Sequence, residues 1–160
     1  MDIKNRVRIG VIGGARPEPP FEIIAREVGR RIAEAGAVLV CGGLRGIMLA
    51  AAQGAKEAGG LTIGILPGND RGGANRFIDV AVATGLGYTR NSLVAMNADA
   101  LIAVDGEYGT LSEIAYGRIF GKPVFGLGTW NVKGVTAVST PEEAVRSALS
   151  AVAGMKDEKL

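Results

Sequence analysis

The residues best suited to chemistry in this chain lie in one short stretch, Asp105-Gly-Glu-Tyr-Gly-Thr-Leu-Ser-Glu113. Gly106 and Gly109 make its backbone permissive, and residues 111–120 read as a helix. A strand that breaks at glycine and restarts as a helix aims free backbone N–H groups at one point. The helix N-terminus adds partial positive charge there, so the turn suits an anion such as phosphate. Gly106 and Gly109 lie in this expected anion seat. Glu113 is positioned to accept sugar hydroxyls or to stabilise positive charge developing at an anomeric carbon. Thr110-x-x-Glu113 also has the form of a capping box, as does Thr140-x-x-Glu143, so a purely helix-starting role competes with the chemical one.

Arginine supplies the complementary charge. Arg90, Arg16 and Arg45 each fall in or beside a turn that follows a strand, and a guanidinium fork suits phosphate oxygens. A solvated surface arginine is the plain alternative at each position. Asp105 and Glu107 cut the other way, because carboxylates beside a phosphate repel it unless they face outward, meet hydroxyls or hold a metal. Two further glycine turns, Gly13-Gly14 and Gly42-Gly-Leu-Arg-Gly46, give Gly13, Gly14, Gly43 and Arg45 as candidate pocket walls. Neither carries the G-x-G-x-x-G dinucleotide pattern or the Lys-Ser/Thr of a P-loop, so conventional NAD binding and NTP hydrolysis are disfavoured. With no histidine and a single cysteine, Cys41, a zinc site is not expected and no metal ligand set is assigned. Cys41 reads as a small core residue rather than a nucleophile.

These groups need a frame, and the pattern of the chain supplies one. Strands are expected at residues 6–12, 37–41, 61–66, 78–82, 100–104, 124–127 and 134–138. Helices are expected at 21–35, 47–58, 89–99 and 111–120, with a last helix from Thr140 to about residue 153. Phe21, Ile24, Val28 and Ile32 show the three-and-four spacing of a buried helix face. Residues 67–75 form a polar loop, and residues 154–160 read as a charged, frayed tail. Strands and helices alternate, which predicts a doubly wound, mainly parallel α/β sheet with helices on both faces. In such sheets ligands bind beyond the carboxyl ends of the strands, where the strand order reverses. All three glycine turns fall at such ends.

Composition bounds the class. The 160 residues are 48% hydrophobic, which suits one domain over 1–160 with a full core. The formal net charge of +2 comes with no basic tract, so nucleic acid is not an expected partner. No stretch is long and apolar enough for a transmembrane helix, and the first residues lack a signal-peptide layout. The lone cysteine fits a reducing compartment, so the expectation is a cytoplasmic protein.

Three motifs in order, Gly42-Gly-Leu-Arg-Gly-Ile-Met48, Thr84-Gly-Leu-Gly-Tyr-Thr-Arg-Asn91 and Gly106-Glu-Tyr-Gly-Thr-Leu-Ser-Glu-Ile-Ala115, resemble the LOG-like superfamily. That group holds cytokinin-activating phosphoribohydrolases, proteins once labelled lysine decarboxylases, and molybdenum cofactor carriers. The resemblance spans about residues 6–150 and implies a modified Rossmann fold that assembles as a dimer or tetramer. In the phosphoribohydrolase branch an Arg and the last Glu of a Pro-Gly-Gly-x-Gly-Thr-x-x-Glu motif are the catalytic pair. Carried over, they fall on Arg90 and Glu113, and the resemblance makes Gly106, Gly109 and Thr110 the phosphate-binding turn. Asp105 stands for the Pro, Glu107 for the second Gly and Asn91 for a Lys, which adds negative charge to the phosphate turn and removes a positive one.

The wording of the second and third motifs is more similar to the branch containing the molybdenum cofactor carriers. The expectation is therefore a protein that binds a phosphorylated nucleotide-like small molecule, with molybdenum cofactor or a nucleoside monophosphate as the candidate ligand. Hydrolysis of a nucleoside 5′-monophosphate by Arg90 and Glu113 is the alternative. A DNA-binding role would need a basic stripe. Lysine decarboxylation would need a Schiff-base lysine, and no lysine falls in a predicted ligand turn.

Overall fold

The computed structural model describes residues 2–159. Seven strands form one sheet: β1 Arg8–Gly13, β2 Val38–Cys41, β3 Thr62–Leu66, β4 Val80–Ala83, β5 Ala100–Val104, β6 Val124–Leu127 and β7 Val135–Ala137. Their order is β4-β3-β2-β1-β5-β6-β7, and every neighbouring pair is parallel. The chain winds outward from β1 to β4, then returns to the other side of β1 as β5. The order therefore reverses between β1 and β5, the place where an α/β sheet opens a crevice. β2 and β5 are buried along their whole length, as strands covered on both faces must be.

Side chains alternate across this sheet, and each face builds its own core. Ile9, Val11, Leu39, Ile102 and Val104 pack with Val28 and Ile32 on one side. That side is covered by α1 Pro19–Glu34, α2 Ile47–Glu57 and α5 Pro141–Asp157. Ile12, Val40, Leu101 and Ala103 pack with Val94 and Ile114 on the other, under α3 Asn91–Asn97 and α4 Tyr108–Ile119. α1 and α2 meet backbone to backbone. A methyl group at Gly29 would lie 1.8 Å from the Ala51 carbonyl oxygen, and one at Gly54 would lie 1.9 Å from that of Arg26. No residue larger than glycine fits either crossing. Among the described residues no helix is long and apolar enough to cross a membrane.

Several boundaries differ from the sequence expectation for local reasons. The helix expected at 111–120 starts at Tyr108, because Asp105 and Gly106 turn the chain sharply with φ of 50° and 119°. Thr110 thus lies inside the first turn, and the N-cap is Glu107 with no side-chain cap. The capping box proposed for Thr110 and Glu113 does not form. The one at Thr140 does: the Glu143 N–H donates to Thr140 Oγ1 at 3.1 Å, and the Ser139 N–H donates to Glu143 Oε2 at 2.9 Å. The helix it opens runs to Asp157, past the end expected near residue 153; Val152, at 4% exposure, is its last buried residue, and residues 154–159 are mostly exposed. The helix expected over 89–99 is a 3-10 turn, Gly87–Arg90, followed by α3. β4 starts two residues late; just before it, the Asp79 N–H donates to the Thr62 oxygen and Oγ1, and the Asp79 carboxylate accepts from the Thr62 N–H and Lys56.

Candidate functional site

A cavity of about 580 Å³ opens at the carboxyl ends of β1, β2 and β5. Gly13 and Gly14 come from the end of β1, Arg45 from the turn before α2, Met48 from the start of α2, and Gly109, Thr110 and Glu113 from α4. Arg90, from the turn before α3, completes the set. Seven of the nine residues singled out in the sequence therefore line one space: Gly13, Gly14, Arg45, Arg90, Gly109, Thr110 and Glu113. Gly43 and Gly106 stand outside the lining. Gly43 faces β3, where an added methyl would meet Leu66 at 2.7 Å. Gly106 lies under Thr110, whose side chain would be 2.6 Å from such a methyl. Gly13 has a packing duty as well, since a methyl there would strike Ile47 at 2.5 Å. At Gly14 an added methyl would make only ordinary contact, 3.9 Å from Glu107 and Gly106.

Two helices point their N-termini at this cavity. In α4 the first internal hydrogen bond runs from the Leu111 N–H to the Glu107 oxygen at 3.0 Å. The N–H groups of Tyr108, Gly109 and Thr110 have no acceptor among the described residues. In α2 the Ile47 N–H is taken by the Gly14 oxygen at 3.0 Å and the Ala50 N–H by Gly46 at 3.0 Å. The intervening N–H groups of Met48 and Leu49 have no acceptor among the described residues. Uncapped N–H groups and the helix dipoles together favour an anion between the two ends.

Arg90 and Glu113 form the floor. Arg90 is only 6% exposed, and its guanidinium is held by the chain itself. Nε donates to the Ile65 oxygen at 2.8 Å, Nη2 to the Gly42 oxygen at 3.3 Å, and Nη1 to Asn91 Oδ1. Three of its five N–H donors are thus used to tie the ends of β2 and β3 to α3, and two remain. Asn91 extends the network through its amide to the Gly109 oxygen at 3.3 Å and to Ser112 Oγ at 3.0 Å. The first turn of α4 is fixed by this link. Glu113 is 7% exposed and accepts no hydrogen bond from any described residue. Every fully sealed side-chain oxygen or nitrogen among the described residues has a partner, so the Glu113 carboxyl opens on the cavity. Burial raises its pKa from 4.5 to about 8, with the positive charge of Arg90 offsetting part of the rise. Near neutrality Glu113 is therefore an uncharged acid that can donate as well as accept. Burial in turn pushes the Arg90 guanidinium down, opposed by Glu113. Cys41 lies beneath, fully buried, its thiol pushed up to about 12, which removes it as a nucleophile.

The two carboxylates that clouded the sequence reading part company. Glu107 is exposed and lines the cavity. Asp105 lies outside the lining and adopts the left-handed region, its backbone N–H bonded to Leu127 and its oxygen accepting from Thr129 Oγ1. Proline cannot reach φ of +50°, whereas aspartate tolerates it. The Asp-for-Pro departure thus goes with a changed backbone as well as a changed charge. Sequence reasoning missed Tyr88, Tyr108, Asn91 and Ser112 as lining residues. Tyr108 lay in plain view between Gly106 and Gly109, but nothing in its neighbours said which way its ring would turn.

Comparison with known proteins places this architecture. A protein of Archaeoglobus fulgidus is 45% identical over 145 residues, covering 90% of this chain and 95% of its own. A probable cytokinin riboside 5′-monophosphate phosphoribohydrolase of Oryza sativa subsp. japonica is 32% identical over 79% of this chain, which spans 55% of that protein. Among solved structures, the molybdenum cofactor binding protein of Rippkaea orientalis superposes with a TM-score of 0.88 at 35% identity, over 92% of this chain and 98% of that one. The molybdenum cofactor carrier protein of Chlamydomonas reinhardtii gives 0.85 at 32% identity, over 94% and 99%. The model of the SLOG cluster4 family matches residues 6–155, and with a parallel α/β fold and a cavity built at the β1–β5 reversal, the chain belongs to that family.

Proposed function

We propose that the protein binds a phosphorylated, nucleotide-like small molecule, with its phosphate at the N-terminus of α4 and its remainder reaching toward Glu113. The observation that carries this reading is a nine-tenths-buried, unpartnered Glu113 facing the same cavity as the free N–H groups of Tyr108, Gly109 and Thr110. A cavity of about 580 Å³ suits a ligand of nucleotide or pterin size. With Glu113 uncharged near neutrality, Arg90 and two helix ends leave the floor positive, which favours phosphate. The molybdenum cofactor is the finer candidate, supported by the similar carrier and binding proteins. The donors present fit its phosphate end, and an uncharged carboxyl can meet the mixed donors and acceptors of a pterin edge. The test is native mass spectrometry of the freshly purified protein, with extracted pterin assayed by fluorescence. A mass addition matching a phosphorylated pterin or nucleotide is expected. Failure to bind any phosphorylated probe at millimolar concentration would sink the reading.

Hydrolysis of a nucleoside 5′-monophosphate is the second reading, supported by the plant relative and by the placement of Glu113 one turn into the helix. Two features weigh against it. Stabilising an oxocarbenium-like charge needs an ionised carboxylate, and burial keeps Glu113 protonated up to about 8. Arg90 also directs three donors at the chain rather than into the cavity. Incubation with AMP, GMP, CMP and UMP, followed by chromatography for free base, separates the two. Release abolished by Glu113→Gln would establish the hydrolase; no release leaves the binder. We also infer a homo-oligomer in a reducing cytoplasm. Exposed Met96 and Ile119 on the thinly covered α3–α4 side support the assembly, and a free, buried Cys41 fits the compartment. Light scattering reports the mass directly.

A further inference from the structure

Two large rings stand in water at the rim of the cavity. Tyr88 is 86% and Tyr108 is 80% exposed, and both line the same space. They arrive from different elements: Tyr88 from the turn after β4, Tyr108 as the first residue of α4. An aromatic side chain carries much of its binding value in its faces, and here two largely exposed rings stand beside one pocket. Tyr108 is also braced. Its ring lies 5.5 Å from that of Trp130 at 39°, and Trp130 Nε1 donates to the Glu107 oxygen at 3.0 Å. Trp130 is thereby anchored to the backbone just before Tyr108. The same residue offers a free backbone N–H at the start of α4 and an aromatic side chain at the rim. A phosphate taken by the first would bring the attached group against the second.

We propose that Tyr88 and Tyr108 form a stacking clamp that selects a planar heterocycle on the phosphorylated ligand, a step that rests on the phosphate reading above. Stacking suits this task because any flat ring presents a π face, whatever its edge groups. Edge recognition then falls to Glu113 deeper in the cavity. The clamp gives ligands with a ring an advantage that a bare sugar phosphate lacks.

The experiment uses the full chain with AMP and ribose 5-phosphate as paired probes, measured by calorimetry. Wild type is compared with Tyr88→Leu, Tyr108→Leu and Tyr108→Phe. Stacking predicts that wild type binds AMP roughly 5- to 100-fold more tightly than ribose 5-phosphate. Each leucine variant should lose most of that ratio while keeping its ribose 5-phosphate affinity, and Tyr108→Phe should keep both. Trp130 is the only tryptophan, so its emission should shift with AMP and not with ribose 5-phosphate. Equal affinity of wild type for the two probes, or an AMP advantage that survives both leucine variants, overturns the clamp while leaving phosphate binding in place. No binding of either probe overturns phosphate binding and the clamp with it.

Discussion

Replacing Glu113 by Gln should stabilise the protein at alkaline pH and leave it almost unchanged at acidic pH. The carboxyl has a pKa of about 8 in the folded chain and an ordinary value of 4.5 outside it. Between those two values the folded state holds a proton that the unfolded state has released. Stability contributed by this group is therefore whole below about pH 4.5 and is lost as pH rises through about 8. Each pH unit crossed is worth about 1.4 kcal/mol, so the full window amounts to about 5 kcal/mol. Water entering the open cavity relaxes part of this, which leaves an expected gain of about 2–5 kcal/mol for the variant at pH 9. For a chain of this length that is a rise in Tm of roughly 5–15 °C. At pH 5 both folded side chains are neutral and nearly equal in shape, and ionisation of the unfolded carboxyl is worth only about 1 kcal/mol, so the two proteins should melt within a few degrees. The assay is thermal or urea denaturation of both proteins from pH 5 to 9, read as their difference so that all other groups cancel. A difference that stays flat across this range would refute the buried, uncharged Glu113 on which the site's electrostatics rest.

Further outcomes follow from the same geometry. Affinity for a phosphorylated ligand should fall above about pH 8, by up to about tenfold per unit, because ionised Glu113 then cancels Arg90; calorimetry should show the fall in wild type and not in Glu113→Gln. Gly42→Ala would put a methyl 2.6 Å from Arg90 Nη2 and 2.7 Å from Met48 Sδ. It should cost about 1–3 kcal/mol in urea denaturation and weaken phosphate binding, since both displaced groups line the cavity. Thr140→Ala removes the cap of α5 and should cost about 1 kcal/mol without touching ligand affinity.

The doubly wound sheet was legible because its signals are redundant. Ala100–Val104 can hardly be anything but a covered strand, and glycine turns follow β1, β2 and β5. Gly13, Arg45, Arg90 and Glu113 lie in or beside turns that follow strands, so a sheet wound in this order gathers them at its reversal. What the sequence hid were matters of direction. Thr110 and Glu113 satisfy the letter of a capping box, yet the tight turn at Asp105 and Gly106 starts the helix early and puts Thr110 inside it. Arg90 reads as a free cation, but its carbonyl partners lie 25 and 48 residues away in the chain. Glu113 reads as an ordinary carboxylate because burial is a property of the packed molecule, not of its neighbours in sequence.

The backbone contact between α1 and α2 divides the walls of the cavity into unequal halves. On one side Gly29 and Gly54 leave no slack, so α2 and the turn before it move only with α1 and the sheet behind them. On the other side α3 and α4 are joined by side chains, Asn91 reaching Gly109 and Ser112, with exposed apolar residues beyond. A ligand of different girth would be accommodated by the second pair, pivoting against a fixed first. Divergence toward new ligands should accordingly accumulate in residues 86–120, while the α1–α2 crossing serves as an unchanging datum from which those changes are measured.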